Sequence, residues 1–280
     1  MIEFTHDTKP TLLTKAITSR YPSISYSHLR SLLRKKDILV DGVRVKEDIQ
    51  VQSGAVIRVY TTIKTAEDYD YKVDTIYEDD NLFIFNKPKG LETEGDISLL
   101  SYARRIAPTA QAVHRLDINT DGLIVIAKSN RAKDLLMDAI KSRQIEKHYV
   151  CLVDGTLTGN KTISAYLLKD ATKSKVTIYD KKVDGSVKII TEYTVIKNYP
   201  DHTLLDVNLI TGRTHQIRAH LSHIGHPILG DGKYGREDIN KRFQFRKQAL
   251  TAYKLIFHTT GELEYLSGKM FSIKSKLFEI

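Results

Sequence analysis

Asp117 lies in the stretch QAVHRLDINTDGLIVIAKSN, residues 111–130, just after His114 and Arg115 and just before a polar turn through Asn119, Thr120, Asp121 and Gly122. The apolar run Leu123-Ile124-Val125-Ile126-Ala127 that follows reads as a buried strand. A carboxylate where a rigid strand meets an open loop is well mounted as a nucleophile or general base, because positioning lowers a barrier by several kcal/mol. In RTHQIRAHLSHI, residues 213–224, helical spacing puts Ile217, Leu221 and Ile224 on one face and His215, Arg218 and Ser222 on another. Arg218 therefore projects from a packed helix toward a cleft. Between these segments, Lys147-x-Tyr149 places an amine and a phenol on one strand. Taken singly, each is ordinary: an Asp in a turn, an Arg on a helix surface, a Tyr in a strand. The histidines His215, His220, His223 and His226 cluster in sequence, but His226 precedes Pro227, where helix is disfavoured, and no cysteine is near; no metal site is expected.

The elements that must carry these groups come from a chain of 280 residues, 41% of them hydrophobic, enough for two domains with real cores. A single cysteine, Cys151, excludes an internal disulfide framework. The start, MIEFTHDTKP, has no basic-then-apolar leader pattern, and no apolar run reaches membrane length, so a cytoplasmic protein without a membrane partner is expected. Lys and Arg exceed Asp and Glu by nine, which favours a polyanion. Residues 11–36 read as two helices, the second open to capping by Ser25 or Ser27, and an Asp41-Gly42 hairpin and a further strand over 51–60 follow. Arg30, Arg34, Lys35, Lys36 and Arg44 gather on the second helix and hairpin, a plausible grip on a phosphate backbone. A linker is expected over 63–74. Beyond it come strands at 75–79 and 81–86, a helix at 97–106, and a helix over 130–141 that Asn130 can cap. Strands follow at 147–153, 163–168, 175–179, 187–197 and 203–210, then the Arg218 helix, a shaped loop at 225–235, and a strand or buried turn over 248–257. Short turns predict antiparallel pairing.

Three blocks in order resemble one family. His114-Arg115-Leu116-Asp117 with Thr120 and Gly122-Leu123, then Lys147-x-Tyr149, then Gly212-Arg213-Thr214-His215-Gln216-Ile217-Arg218-x-His220 with Gly225, Pro227, Gly230-Asp231 and Tyr234-Gly235 look like the RluA/RluD-type RNA pseudouridine synthases. The piece Asn86-Lys87-Pro88-Lys89-Gly90-Leu91 also fits, and the resemblance covers residues 75–257. Residues 11–60 are similar to the αL RNA-binding module first known from a small-subunit ribosomal protein, which some family members carry ahead of the catalytic domain.

The resemblance implies an α+β fold: a mixed, mainly antiparallel sheet with a central active-site cleft, preceded by a small α+β RNA-binding domain. The domains would be 1–62, the linker 63–74 and 75–280. It implies cofactor-free isomerisation of uridine to pseudouridine in structured RNA, large-subunit ribosomal RNA first and transfer RNA second, by a monomer. Asp117 matches the essential aspartate, Arg218 its arginine partner, and Tyr149 the tyrosine stacked on the target base. Arg115 matches the residue that fills the place of the extruded nucleotide, since extrusion costs a few kcal/mol. His114, Lys147, Arg213 and His215 are expected at the RNA. The competing reading is a catalytically silent RNA-binding or ribosome-assembly protein. The sequence departs from the family pattern in four places: Asp121 stands where serine is usual, Glu92-Thr93-Glu94 replaces a more hydrophobic, His-Pro containing loop, Thr251 replaces a histidine, and the tail over 267–280 lacks the Pro-rich ending.

Overall fold

The structure, a computed structural model, describes residues 1–21, 24, 26–61, 72–170 and 174–279. The chain forms two compact units, Met1–Asp70 with Glu94–Tyr102 and Tyr71–Thr93 with Ala103–Ile280. Most of the expected linker, at 62–71, lies outside the described residues, as does the helix capping expected from Ser25 or Ser27.

The first unit contains β1 (Ile2–Thr5), β2 (Thr11–Leu12), α1 (Leu13–Arg20), α2 (Tyr26–Lys35), β3 (Ile38–Val40), β4 (Val43–Val45), β5 (Gln50–Val51) and β6 (Val56–Val59). The strands pair in the order β1-β6-β3-β4, with β2 and β5 as a separate pair. Leu13, Ile17, Leu29, Leu32 and Leu33 of the helices bury against Ile38, Ile57 and Val59 of this sheet. Asp41 and Gly42 both take positive φ, 50° and 81°, the geometry that lets a two-residue turn follow the strand twist. The strand expected over 51–60 is two strands, because Gly54 turns the chain back between them at φ 91°.

In the second unit, β7 (Asp74–Glu78) and β8 (Leu82–Lys87) come first; α3 (Leu99–Ile106) begins in the 94–102 segment of the first unit and ends in the second, and β9 (Gln111–Ala112), β10 (Asp121–Ala127) and α4 (Asn130–Lys141) follow. Next come β11 (Ile145–Asp154), β12 (Asn160–Asp170), β13 (Lys175–Tyr179), β14 (Val187–Asn198) and β15 (His202–Asn208). Then α5 (Gln216–His223), α6 (Glu237–Arg242), β16 (Leu250–Phe257) and β17 (Met270–Ser272) close the chain. Eleven strands form one sheet in the order β13-β12-β14-β15-β11-β16-β10-β8-β7, with β17 on β16 and β9 on β10. The pairing of β10 with β16 is parallel and the other pairings in this sheet are antiparallel, so the α+β class with a mixed, mainly antiparallel sheet holds.

Two helices pack on different parts of this sheet. Leu136 and Ala132 of α4 pack on Leu82, Ile84, Leu123, Val125 and Phe257, and Ala219 of α5 packs on Ala165, Leu167, Val176, Ile178 and Ile189. The cap of α4 is Ser129 rather than Asn130: its side chain accepts the Ala132 N–H at 3.1 Å, and Asn130 is already helical. The helix expected from Arg213 starts at Gln216, because His215 sits in the left-handed region at φ 54° and breaks the helical run. Among the described residues no helix is long and apolar enough to cross a membrane.

Candidate active site

The loop that carries Asp117 is clamped at several points. The buried Thr93 hydroxyl accepts the Leu116 N–H at 3.1 Å and donates to the Leu116 carbonyl at 3.0 Å. Thr120 donates its N–H to the Asp117 carbonyl at 2.9 Å, and its hydroxyl accepts from Gln248 at 2.6 Å. Gly122, at φ 115°, ends the loop where β10 crosses β16, and a Cβ there would lie 2.1 Å from the Ala252 carbonyl oxygen. Only glycine fits at that crossing. Thr93, from the loop whose composition departs from the family, is therefore part of the mount.

Arg218 leaves the buried face of α5 and reaches Asp117 across 101 positions of sequence, with Nη1 donating to Asp117 Oδ2 at 2.7 Å. Its other edge forks onto Asp231: Nε donates to Oδ2 at 2.7 Å and Nη2 to Oδ1 at 2.9 Å. Asp231 Oδ1 also accepts the N–H groups of Lys233 at 2.8 Å and Tyr234 at 3.1 Å. Burial alone would lower the arginine's pKa, but the hydrogen bonds and charges of Asp231 and Asp117 hold it above the ordinary value. Burial would likewise raise the Asp231 carboxyl, yet Arg218 and the two backbone N–H groups hold it below the ordinary value. One guanidinium thus bridges a buried carboxylate and a pocket carboxylate, an arrangement a lysine cannot copy.

Tyr149 is buried beside Asp117 in the wall of the same pocket. A register shift in the pairing of β11 with β16, where His148 faces Lys254 but Tyr149 faces Ala252, leaves Tyr253 as an extra residue and re-aims the strand there. Burial, then the Asp117 charge, pushes the Tyr149 phenol well up, so it stays protonated at neutral pH. His215, Arg213 and Arg115 line the pocket too, the two arginines exposed. A groove of about 720 Å³ adjoins it, with Arg115, Arg213 and the buried Lys147 joined by Lys141 and Arg143 from the end of α4. Lys147 Nζ has only a long contact, 3.4 Å, to the Ile145 carbonyl, and burial lowers its pKa. His114 also borders the groove, but its Nε2 accepts the Val125 N–H at 3.0 Å. Burial, with Lys147 adding to it, takes its pKa down to about 3. His114 is thus a neutral ring tying the loop to β10, which suits a structural role better than a cationic RNA contact.

The four clustered histidines go to different partners: His215 to the Tyr234 hydroxyl at 3.0 Å, His220 to Thr191 at 3.0 Å, His223 to Asp180 at 2.8 Å and His226 to the Asp154 carbonyl at 2.8 Å. Two departures from the family pattern meet each other, since Thr251 donates its hydroxyl hydrogen to Asp121 Oδ1 at 2.9 Å. Lys89 stands 3.5 Å from the same oxygen, so the extra acid is paired. Lys87, fully buried, donates to the Leu91 carbonyl at 2.8 Å; burial lowers its pKa to about 8 while Asp121 and Asp117 pull the other way. In the first unit Arg30, Arg34, Lys35, Lys36 and Arg44 are all exposed, and no ion pair engages them among the described residues. Arg30 lies over the Tyr26 ring at 5.8 Å and Arg44 over Tyr60 at 5.9 Å.

Sequence reasoning gave no role to Asp231, Gln248, Lys141 or Arg143. Asp231 was visible within Gly230-Asp231, which reads as a turn; only the fold brings it under Arg218.

Residues 81–223 match the family model described as RNA pseudouridylate synthase. A Xylella fastidiosa protein named ribosomal large subunit pseudouridine synthase D is 34% identical over 232 residues, spanning 77% of this chain and 68% of that one. A Vibrio vulnificus protein of the same name is 33% identical over 277 residues, spanning 89% and 84%. Among solved structures, human RNA pseudouridylate synthase domain containing 1 has a TM-score of 0.61 at 23% identity, over 73% of this chain and 84% of that one, a likeness of fold.

Proposed function

The chain belongs to the RNA pseudouridylate synthase family, and on that premise we propose that it converts uridine to pseudouridine in large-subunit ribosomal RNA, with Asp117 as the reacting group. The observation that carries the reading is the 2.7 Å bond from Arg218 to Asp117 Oδ2 in the pocket wall. It occupies one carboxylate oxygen and leaves Oδ1 for the substrate. In the reaction the bond from ribose C1′ to uracil N1 breaks, the base turns, and C1′ bonds to C5. The C5 proton is lost and N1 gains one. A single carboxylate, attacking sugar or base or taking a proton from the sugar, suits a reaction in which water must be kept out. Ordinary glycoside hydrolysis uses two carboxylates, one of which handles water.

The protonated Tyr149 supports a stacking wall for the base more than a proton acceptor. Arg115 would fill the vacated place in the RNA stack, and Lys147 and Arg213, with Lys141 and Arg143, would follow the backbone along the groove. The exposed basic residues of the first unit, with arginines over Tyr26 and Tyr60, would add an electrostatic grip as an αL-type domain over residues 1–62. The protein would act as a monomer in the cytoplasm. A silent RNA-binding protein has no need of a pocket carboxylate bonded to a buried arginine, so catalysis is favoured.

The test is tritium release from a large-subunit ribosomal RNA transcript labelled at uracil C5. The wild-type protein should release tritium. Asp117→Asn should abolish release while RNA affinity stays within about twofold, since one charge in a pocket contributes little to backbone binding. Equal release by both proteins would remove Asp117 from the chemistry.

A further inference from the structure

His215 holds the most informative unused group in the pocket. Its ring stands between two partners: Nδ1 is 3.0 Å from the Tyr234 hydroxyl, and Nε2 is 3.9 Å from Asp117 Oδ1. The Tyr234 oxygen already accepts the Val176 N–H at 2.9 Å. Its hydroxyl hydrogen needs an acceptor, and among the described residues the acceptor in place is His215 Nδ1. A neutral imidazole carries one N–H, so accepting at Nδ1 puts that hydrogen on Nε2. The Nε2–H then points into the pocket beside the catalytic carboxylate, too far from Oδ1 for a hydrogen bond.

Two further observations agree. His215 is held at φ 54°, a left-handed backbone uncommon for residues other than glycine, though less so for His, Asn and Asp, and one that clusters at functional sites. The groups facing the ring are Asp117, Asp231, Arg218 and Lys233; burial acts first and, with the two cations, outweighs the two carboxylates, so the ring's pKa is lowered and it is neutral at pH 7.

We infer that His215 donates its Nε2 hydrogen to an oxygen of the target nucleotide lying against Asp117 Oδ1, and that Tyr234 is a positioning residue which fixes the tautomer. The acceptors a uridine offers there are its ring carbonyls and its ribose hydroxyl oxygens. A donor set in advance needs no reorganisation when the substrate enters, which is how fixed dipoles lower a barrier. This inference rests on the pseudouridine synthase reading.

The experiment compares His215→Gln, His215→Asn and Tyr234→Phe in single-turnover tritium release from the same transcript, with RNA affinity measured separately. A glutamine amide nitrogen reaches the place of Nε2, and an asparagine nitrogen only that of Nδ1. Asparagine tolerates the left-handed backbone well, so His215→Asn keeps the fold while removing the pocket donor. His215→Asn should slow turnover by about 10- to 100-fold, the range for one lost hydrogen bond to substrate. His215→Gln should stay within about fivefold of wild type, and Tyr234→Phe should slow turnover with RNA affinity unchanged. Nitrogen NMR of labelled histidine should show the Nε2–H tautomer in the wild type and a mixture in Tyr234→Phe. Wild-type rates in His215→Asn, equal losses in the Asn and Gln variants, or a loss confined to RNA affinity would overturn the inference. Failure of the wild-type protein itself to release tritium would instead strike the functional reading.

Discussion

Asp117 keeps its two oxygens in different company, one bonded to Arg218 and the other facing the pocket, and that division depends on a residue that never meets the pocket. Asp231 is almost wholly buried and takes one edge of the guanidinium through Nε and Nη2, which fixes its plane and aims Nη1 at Asp117. Replacing Asp231 with Asn leaves a buried guanidinium short of one charge and aims an N–H at an N–H. Breaking a buried pair in this way costs about 3 kcal/mol, and turnover should fall by about 100-fold as Arg218 loses its aim. Urea unfolding and tritium release in Asp231→Asn measure the two effects, and full turnover would show that Arg218 needs no second anchor. The pairing of Asp117 with Arg218 was legible in the sequence through the family resemblance, because both lie in motifs that match it, and not through residue type or spacing alone. The anchor was not, because a Gly-Asp pair in a loop carries no local sign of what it will touch. Asp121 with Thr251 shows the same limit: each reads as a lone departure, and only the crossing of β10 with β16 makes them a pair.

At the scale of elements, the site depends on that crossing. Gly122 and Ala252 are register partners in the parallel pairing, and the backbone of β16 fills the space where a side chain at 122 would go. Gly122→Ala should therefore lower stability by about 3 kcal/mol or more, through strand separation beside the Asp117 loop. Gly159→Ala is the control: it shares a positive φ, 68°, but has nothing within 4 Å of the added carbon, so it should cost only about 1 kcal/mol. Equal shifts in the urea midpoint of the two variants would mean that backbone conformation, not crowding, sets the cost. Longer elements such as α4, β10 and β14 were readable from the chain because their apolar runs or spacing extend far enough to stand out. The short strands β1, β9 and β17 were not, since two to four residues carry too little pattern and only pairing with β6, β10 and β16 defines them. The start of α5 was misplaced for a different reason: nothing in Arg213-Thr214-His215 signals a left-handed histidine.

For the molecule as a whole, the nine-charge excess of Lys and Arg over Asp and Glu sets how RNA is held before any chemistry begins. The Asp117–Arg218–Asp231 cluster adds nothing to that excess, because Arg218 is neutralised by two carboxylates. The exposed, unpaired cations of the first unit are better placed to displace counterions from RNA, and each phosphate contact adds roughly 0.7 to 0.9 to the slope of log affinity against log salt. Changing Arg30, Arg34 and Arg44 together to Glu should weaken binding to the ribosomal RNA transcript and lower that slope by roughly 2, three contacts being lost. Single-turnover release at saturating protein should then recover to near the wild-type rate, because those residues would grip the RNA without touching the reacting atoms. Asp117→Asn should do the reverse, keeping the salt slope and abolishing release. A triple variant with the wild-type slope would mean that the first unit does not bind RNA backbone. Loss of release at saturation would mean that it does more than tether.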